Sequence, residues 1–513
     1  MVSWSGIRVK IRVEKCGVII EVRVENCSVT LNVRVEKCSI ALKVRVEKCD
    51  IIAKVRVEKC IFALFLCYKS NLNYQRNQKK LCDMERKIMS QLKAWKASPY
   101  RKPLMLAGAR QVGKTYILKE FGKREYEHVA YINCDGNSEI AGIFSDDFDM
   151  QRVLMVIGAI CKTPVVPGKT LIILDEIQEL RKGLSSLKYF CENAPEYHVA
   201  VAGSLLGVAM HQGESAPVGK VDIIRLFPMS FEEFLQAKKE TQLLEILRSK
   251  DWEAISLLHE KLTKILREYY FVGGMPEAVK TYLQTNDANM VRKVQNDILF
   301  VYRSDMSKHV SPNEATRISM VWQSIPSQLA KENKKFVYGA VRTGARAKDF
   351  EMAIQWLVDA GLAFRISRIR DVGMPLKFYE DITAFKLFVL DVGLLGALSE
   401  MEPAQMLISN KVMTESKGAF TENYVLCQLL CLQNIFTYYF SREDSRLEVD
   451  FVVQHKGEII AVEVKAEENL RSKSLRAFTD THADLRAVRF SMSPYREHDW
   501  MKNIPLYAVE ESF

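Results

Sequence analysis

"PLMLAGARQVGKTYILKEFG", residues 103–122, decides how the chain is read. An apolar run, Leu104 to Ala107, leads into Gly108-x-x-x-x-Gly113-Lys114-Thr115, and an amphipathic stretch follows. The order is strand, glycine-bearing turn, helix. Each residue type has a task there. Glycines let backbone N–H groups wrap a phosphate, the start of the helix attracts anions, and Lys114 adds a point charge. The Thr115 hydroxyl can enter the shell of a Mg²⁺ ion. Gly108, Ala109, Arg110, Gln111, Val112, Gly113, Lys114 and Thr115 are therefore the candidate nucleotide-binding residues.

A second stretch supplies what the first lacks. "TLIILDEIQEL", 170–180, is an apolar strand ending in two acids. Asp175 suits the Mg²⁺ shell and Glu176 suits polarising an attacking water. "HVAVAGSLLGV" is a further apolar strand, and its end places Ser204 where a polar sensor of the γ-phosphate would stand; a plain strand-end serine fits equally. "AYINCDG" adds another strand, ending near Asp135. No Asn-Lys-x-Asp guanine motif is present, which favours ATP over GTP. The strand–helix alternation from about 100 to 226 predicts an α/β fold, a parallel sheet with its ligand at the strand C-terminal ends.

"GARQVGKT", "LDEIQ", "AGSLL", "FPMSFEEFL" and "YYFVGGMPEAV" together resemble the signatures of a bacterial and archaeal family of AAA-type ATPases. The resemblance runs from about Met84 to the C-terminus. It implies an ATPase core over 84–226, a helical lid over 227–310, and ATP with Mg²⁺ as cofactors. Gly273–Pro276 resembles a Gly-x-Pro element that lies near the nucleotide in related signalling ATPases, and it also suits a turn between helices. Arg225 is either a charge-stabilising arginine or a surface residue.

The front of the chain is different in kind. "IRVEKC", "VRVENC" and three copies of "VRVEKC" put Cys16, Cys27, Cys38, Cys49 and Cys60 eleven residues apart. An odd period turns successive repeats to opposite faces of a strand, so residues 1–83 are expected to be disordered or to precede the true start, with a small β array as the alternative. Residues 1–82 hold 17 basic and 7 acidic residues, which accounts for the whole net charge of +10 and leaves 56 of each sign beyond them. The basic balance thus argues nothing about nucleic acid for the main body. Seven of the twelve cysteines lie here without His partners or CxxC pairs, and the other five are scattered singly. With no signal peptide in "MVSWSGIRVK" and no apolar run long enough to span a bilayer, a cytoplasmic protein without membrane contact is expected.

After the lid, residues 311–400 read as helices followed by two β runs, the order of a winged helix. Arg342, Arg346 and Lys348 precede its second helix, where they suit phosphate contacts on DNA or a solvated protein-binding face. Asp391, in "LFVLDVGLLGAL", reads as a capping or buried hydrogen-bonding residue. Residues 411–513 contain "EVDFVVQHKGEIIAVEVK", 448–465. Asp450 sits in one β run, Glu463 and Lys465 share a face of the next, and the five residues "QHKGE" suit a hairpin turn. With Glu422 on the preceding helix, this order resembles a PD-(D/E)XK nuclease core, though "EVDF" lacks the proline of that name. The resemblance implies Asp450 and Glu463 as Mg²⁺ ligands and Lys465 as the group that orients water. Two functions follow: an ATP-hydrolysing protein acting on or regulated by DNA, or a nucleotide switch with a protein partner or self-association and an inert nuclease-like domain.

Overall fold

The structure, a computed structural model, describes strands at 2–4, 7–14, 17–24 and 41–46, and residues 84–513 apart from 141, 145–147, 205, 212–218, 309, 332–333, 404–416, 443–446, 467–471 and 483–484. Residues 1–83 and 84–513 are separate units. In the first, β1 (Val2–Trp4), β2 (Ile7–Glu14), β3 (Gly17–Val24) and β4 (Ala41–Val46) make a four-stranded sheet in that order. β3 and β4 pair in parallel with Ile19 opposite Ala41, an offset of two whole eleven-residue repeats. Most of the repeat segment, and the expectation that it lacks a globular fold, lies outside the described residues.

In the second unit, β5 (Leu104–Ala107), β6 (His128–Asn133), β7 (Thr170–Asp175), β8 (His198–Ala202) and β9 (Asp222–Arg225) form a parallel sheet of order β6-β7-β8-β5-β9. β7 and β8 are buried along their whole length. Their near-continuous apolar runs follow from that, since helices cover both faces of a parallel sheet. All five strands point the same way, which brings the residues after β5, β7 and β8 to one edge. This is the P-loop NTPase sheet that the sequence predicts.

Helices fill residues 231–305. Local chemistry sets their starts. Ser230 and Glu233 exchange a capping box at Phe231–Ala237, Pro276 opens Pro276–Thr285, and the Asp287 carboxylate accepts two N–H groups at Ala288–Asp305. A long helix (Pro312–Leu329), a short one (Tyr338–Val341), a third (Ala347–Asp359) and the hairpin β10 (Ala363–Ile369) and β11 (Glu380–Val389) follow.

That hairpin does not stand free, as a wing would. It is one edge of an eight-stranded sheet of order β11-β10-β12-β13-β14-β15-β17-β16, completed by β12 (Ile435–Ser441), β13 (Glu448–His455), β14 (Glu458–Val464), β15 (Arg486–Ser491), β16 (Arg496–Glu497) and β17 (Lys502–Pro505). β10 joins β12 in parallel through Arg368–Tyr439 and Ile369–Phe440. Ile366 and Ile369 are buried, so β10 gains by being covered, and the sheet runs across the boundary expected at residue 400. The turn between β13 and β14 is tighter than the five residues expected. The pairing runs to His455–Glu458, leaving Lys456 and Gly457, both at positive φ, as a two-residue hairpin turn. No helix among the described residues is long and apolar enough to cross a membrane.

Candidate functional site

The phosphate loop hangs between β5 and the helix Lys114–Glu125. Gly108 has φ 149°, and a Cβ there would lie 2.3 Å from the Leu226 carbonyl oxygen, so only glycine admits this approach. Buried Lys114 donates from Nζ to the carbonyls of Gly108 and Ala109, both at 2.8 Å. Burial lowers its pKa to about 8 against the opposing pull of Glu176 and Asp175.

Across the loop, the Thr115 hydroxyl donates to Asp175 Oδ2 at 2.7 Å, and the Tyr131 hydroxyl reaches the same oxygen at 3.2 Å. A hydroxyl and a carboxylate side by side at a strand end suit a hard cation that keeps several waters. Glu176 follows in the left-handed region, φ 52°, a conformation that a non-glycine residue holds only when its surroundings fix it. Its carboxylate accepts from Ser204 N (2.9 Å), Ser204 Oγ (2.5 Å) and Gln178 Nε2 (2.6 Å). Burial opposes ionisation, but these hydrogen bonds and the Lys114 charge outweigh it and hold the carboxyl below its usual range. Gly203 makes room for Gln178, whose Oε1 lies 2.0 Å from where a Cβ would stand. Ser204 thus lies beside Glu176, and all the nucleotide-site candidates gather at one sheet edge.

Sequence reasoning missed the groups that surround the loop. Arg86 donates from NH1 to Val112 O at 3.1 Å and from NH2 to Phe227 O at 2.7 Å, while its Nε pairs with Glu233 at 3.0 Å. Arg110 NH1 contacts both Asp305 oxygens, at 2.6 and 2.9 Å, and the Tyr302 hydroxyl donates to Arg110 O at 2.8 Å. Asp305 carried a signal, because it lies on the buried stripe Ile298, Tyr302, Asp305 of an amphipathic helix. Arg86 carried none.

The second candidate group lies in the eight-stranded sheet. Asp450 on β13 accepts the Val464 N–H at 2.7 Å, and Lys465 pairs with Glu463 at 3.1 Å. Glu422, from the helix Lys417–Leu430, faces two lysines that the sequence reading overlooked. Lys334 pairs with its Oε1, and Lys386 on β11, fully buried, lies 3.8 Å from its Oε2 and 2.6 Å from Glu448. Burial would discharge Lys386, but Glu422, Glu448 and Asp450 outweigh it and hold its pKa above the ordinary value. Burial, then the Glu422 charge, pushes Asp450 up to about 7. Glu422 itself is held down by the two lysines against its burial. Among the described residues, no group of three or more His, Cys, Asp or Glu side chains is disposed to hold a metal ion.

Residues 100–235 match a family model described as an AAA domain. Residues 263–405 and 417–509 match two further models, each described as a domain of unknown function (DUF8612 and DUF4143). The strand order, the phosphate loop and this match together define an AAA-type P-loop ATPase domain. No curated protein matches the chain. Among solved structures, the Walker-type ATPase PABY2304 of Pyrococcus abyssi is 15% identical, with 62% of this chain and 96% of that one covered at a TM-score of 0.39. The Aeropyrum pernix ORC1 protein in complex with DNA is 12% identical, covering 62% and 94% at 0.26. The Thermotoga maritima RuvB Holliday junction branch migration motor is 15% identical, covering 57% and 89% at 0.26. Such TM-scores are too low for any of these likenesses to bear on function.

Proposed function

We propose that the chain is a Mg²⁺-dependent ATPase that works as a nucleotide-controlled switch, and that its eight-stranded sheet is a nuclease-like scaffold without a metal site. The observation that carries the first part is Thr115 and Asp175 sharing a hydrogen bond beside Glu176 at the mouth of the phosphate loop. Thr115 and Asp175 would hold the ion, which would offset the charge of the nucleotide phosphates. Lys114 neutralises the same phosphates, and Glu176, kept ionised, orients and polarises the attacking water. Lys386 supports the second part, since its charge sits among the acids where a cation would have to enter. Lys114→Ala should abolish Mg·ATP binding in calorimetric titration of the full chain. Wild-type affinity in that variant would refute the assignment.

A DNA-directed role rests on a separate observation. Arg342, Arg346 and Lys348 are all exposed at the start of Ala347–Asp359, the third helix of a winged-helix-like order. Duplex binding that weakens as log[salt] rises, with a shallower slope after Arg346→Ala, would favour this reading. Salt-independent behaviour, with no duplex bound, would leave a protein partner or self-association as the output of the switch.

A further inference from the structure

The phosphate loop is held from outside by two side chains that belong to neither nucleotide motif. In a trans peptide the C=O of one residue and the N–H of the next point in opposite directions. A group that grips the carbonyl from outside therefore aims the following N–H inward. Tyr302 grips Arg110 O at 2.8 Å, which sends the N–H of Gln111 into the loop, and Arg86 grips Val112 O at 3.1 Å, which does the same for Gly113. Both receiving residues stand at positive φ, 66° for Gln111 and 98° for Gly113. Left-handed residues alternating with right-handed ones turn successive N–H groups into an anion-binding concavity.

We propose that Tyr302 and Arg86 are positioning residues for the phosphate site, fixing the peptides that receive the nucleotide phosphates. The inference rests on the ATP reading above and deepens it. Both side chains are buried, and neither is drawn from the loop's own element: Tyr302 is on the helix Ala288–Asp305, and Arg86 precedes the helix Ile88–Ala97. Asp305, one turn beyond Tyr302, takes the Arg110 guanidinium with two hydrogen bonds. One helix thus fixes both the backbone and the side chain of Arg110. Arg86 is anchored in turn by Glu233 and by Phe227 O, so its fork cannot turn away without taking the counter-charge from a buried carboxylate.

Tyr302→Phe removes a single hydroxyl and keeps the ring that packs the helix. One hydrogen bond that organises a binding loop corresponds to about a tenfold change in affinity. The full-length variant should bind Mg·ADP and Mg·ATP about tenfold more weakly in calorimetric titration, with KM for ATP rising by the same factor. Its melting temperature without nucleotide should stay near that of the wild type, while the stabilisation given by Mg·ADP shrinks. Arg86→Lys keeps a charge for Glu233 but loses the fork that reaches two carbonyls, so it should show the same split between apo stability and affinity. Wild-type nucleotide affinity in Tyr302→Phe overturns the positioning role, whatever its apo stability. Failure of the wild-type chain to bind Mg·ATP is a different result, which removes the ATP reading and this inference with it.

Discussion

Two regions of this molecule put carboxylates and lysines together at strand ends, and they resolve the charge in opposite ways. At the phosphate loop, Lys114 is satisfied by two backbone carbonyls, and Asp175 and Glu176 accept instead from the hydroxyls of Thr115 and Ser204. In the eight-stranded sheet, Lys334 and Lys386 lie against Glu422 and Glu448, and the acids are neutralised by the protein itself. Counting acids and lysines does not separate the two. What separates them is whether the cation is supplied from within. A buried lysine at 2.6 Å from a carboxylate supplies the counter-charge itself, and displacing it would strand a charge in a poorly solvated interior.

The largest expected effect tests the first half of that contrast. Glu176→Gln keeps the shape and the hydrogen-bonding reach towards Ser204 while removing the charge. Turnover of ATP should fall by about 10²- to 10³-fold, with Mg·ATP still bound. An unchanged rate would mean that Glu176 does not polarise the attacking water.

The next tests the second half. Lys386→Met takes away a fully buried charge and leaves Glu422 and Glu448 facing each other. Urea denaturation should show a loss of about 3–5 kcal/mol. If Mn²⁺ restores stability to the variant but does nothing for the wild type, the lysine stands where a metal would. Equal stability of variant and wild type would mean the lysine is not what balances the acids.

How much of this could be read beforehand depends on distance along the chain. The phosphate loop, the acids after β7 and the parallel sheet are local patterns, each within about a dozen residues, and local patterns are visible in a sequence. The contacts that organise the loop are not: Arg110 meets Asp305 195 residues further on, and Arg86 meets Phe227 141 residues further on. The Lys386 signal was available, since "ITAFKLFVL" places one charge inside an otherwise apolar strand, and such a charge needs a buried partner. Which partner it finds follows only from the docking of the helix Lys417–Leu430. The merging of β10 and β11 into the larger sheet was hidden for a related reason. A hairpin's own alternation gives its two faces but not whether its outer edge is paired.

A smaller effect concerns the joint between the two halves. Asp391 caps the helix Val392–Leu398, accepts the N–H of Leu394 at 2.9 Å, and accepts that of Gly274, in the turn before Pro276–Thr285, at 2.5 Å. Burial raises its pKa to about 6 against the pull of these N–H groups. The sign follows from proton binding. Below about pH 4 the carboxyl is protonated folded or unfolded, and between about 4 and 6 only the unfolded chain releases the proton, so stability falls as pH rises through that window. Up to about 3 kcal/mol is involved. Asp391→Asn should flatten this part of the pH–stability curve, measured as the difference between variant and wild type. Parallel curves would show that Asp391 ionises in the folded protein as it does in the unfolded one.

The smallest expected effect discriminates best between a scaffold and a metal site. Asp450 has its pKa raised to about 7 by burial and by the Glu422 charge beside it. At pH 6 it is then mostly protonated and already neutral. Asp450→Asn swaps one neutral hydrogen-bonding group for another, and its side-chain carbonyl can still accept the Val464 N–H that Asp450 now takes at 2.7 Å. Stability below about pH 4, where the unfolded chain keeps the proton as well, should therefore change by less than about 1 kcal/mol, the ordinary worth of a retained hydrogen bond. Between about pH 4 and 7 the variant should gain on the wild type, because there only the unfolded chain releases the Asp450 proton and wild-type stability falls. A metal site predicts the reverse: an ionised Asp450 would be a ligand, and its replacement would remove Mn²⁺ binding and any Mg²⁺-dependent cleavage of plasmid DNA. Calorimetric titration of the full chain with Mn²⁺, wild type against Asp450→Asn, reads the difference directly. Binding to the wild type that vanishes in the variant would end the scaffold reading, and the same flat titration for both would leave Lys386 as the cation of that sheet.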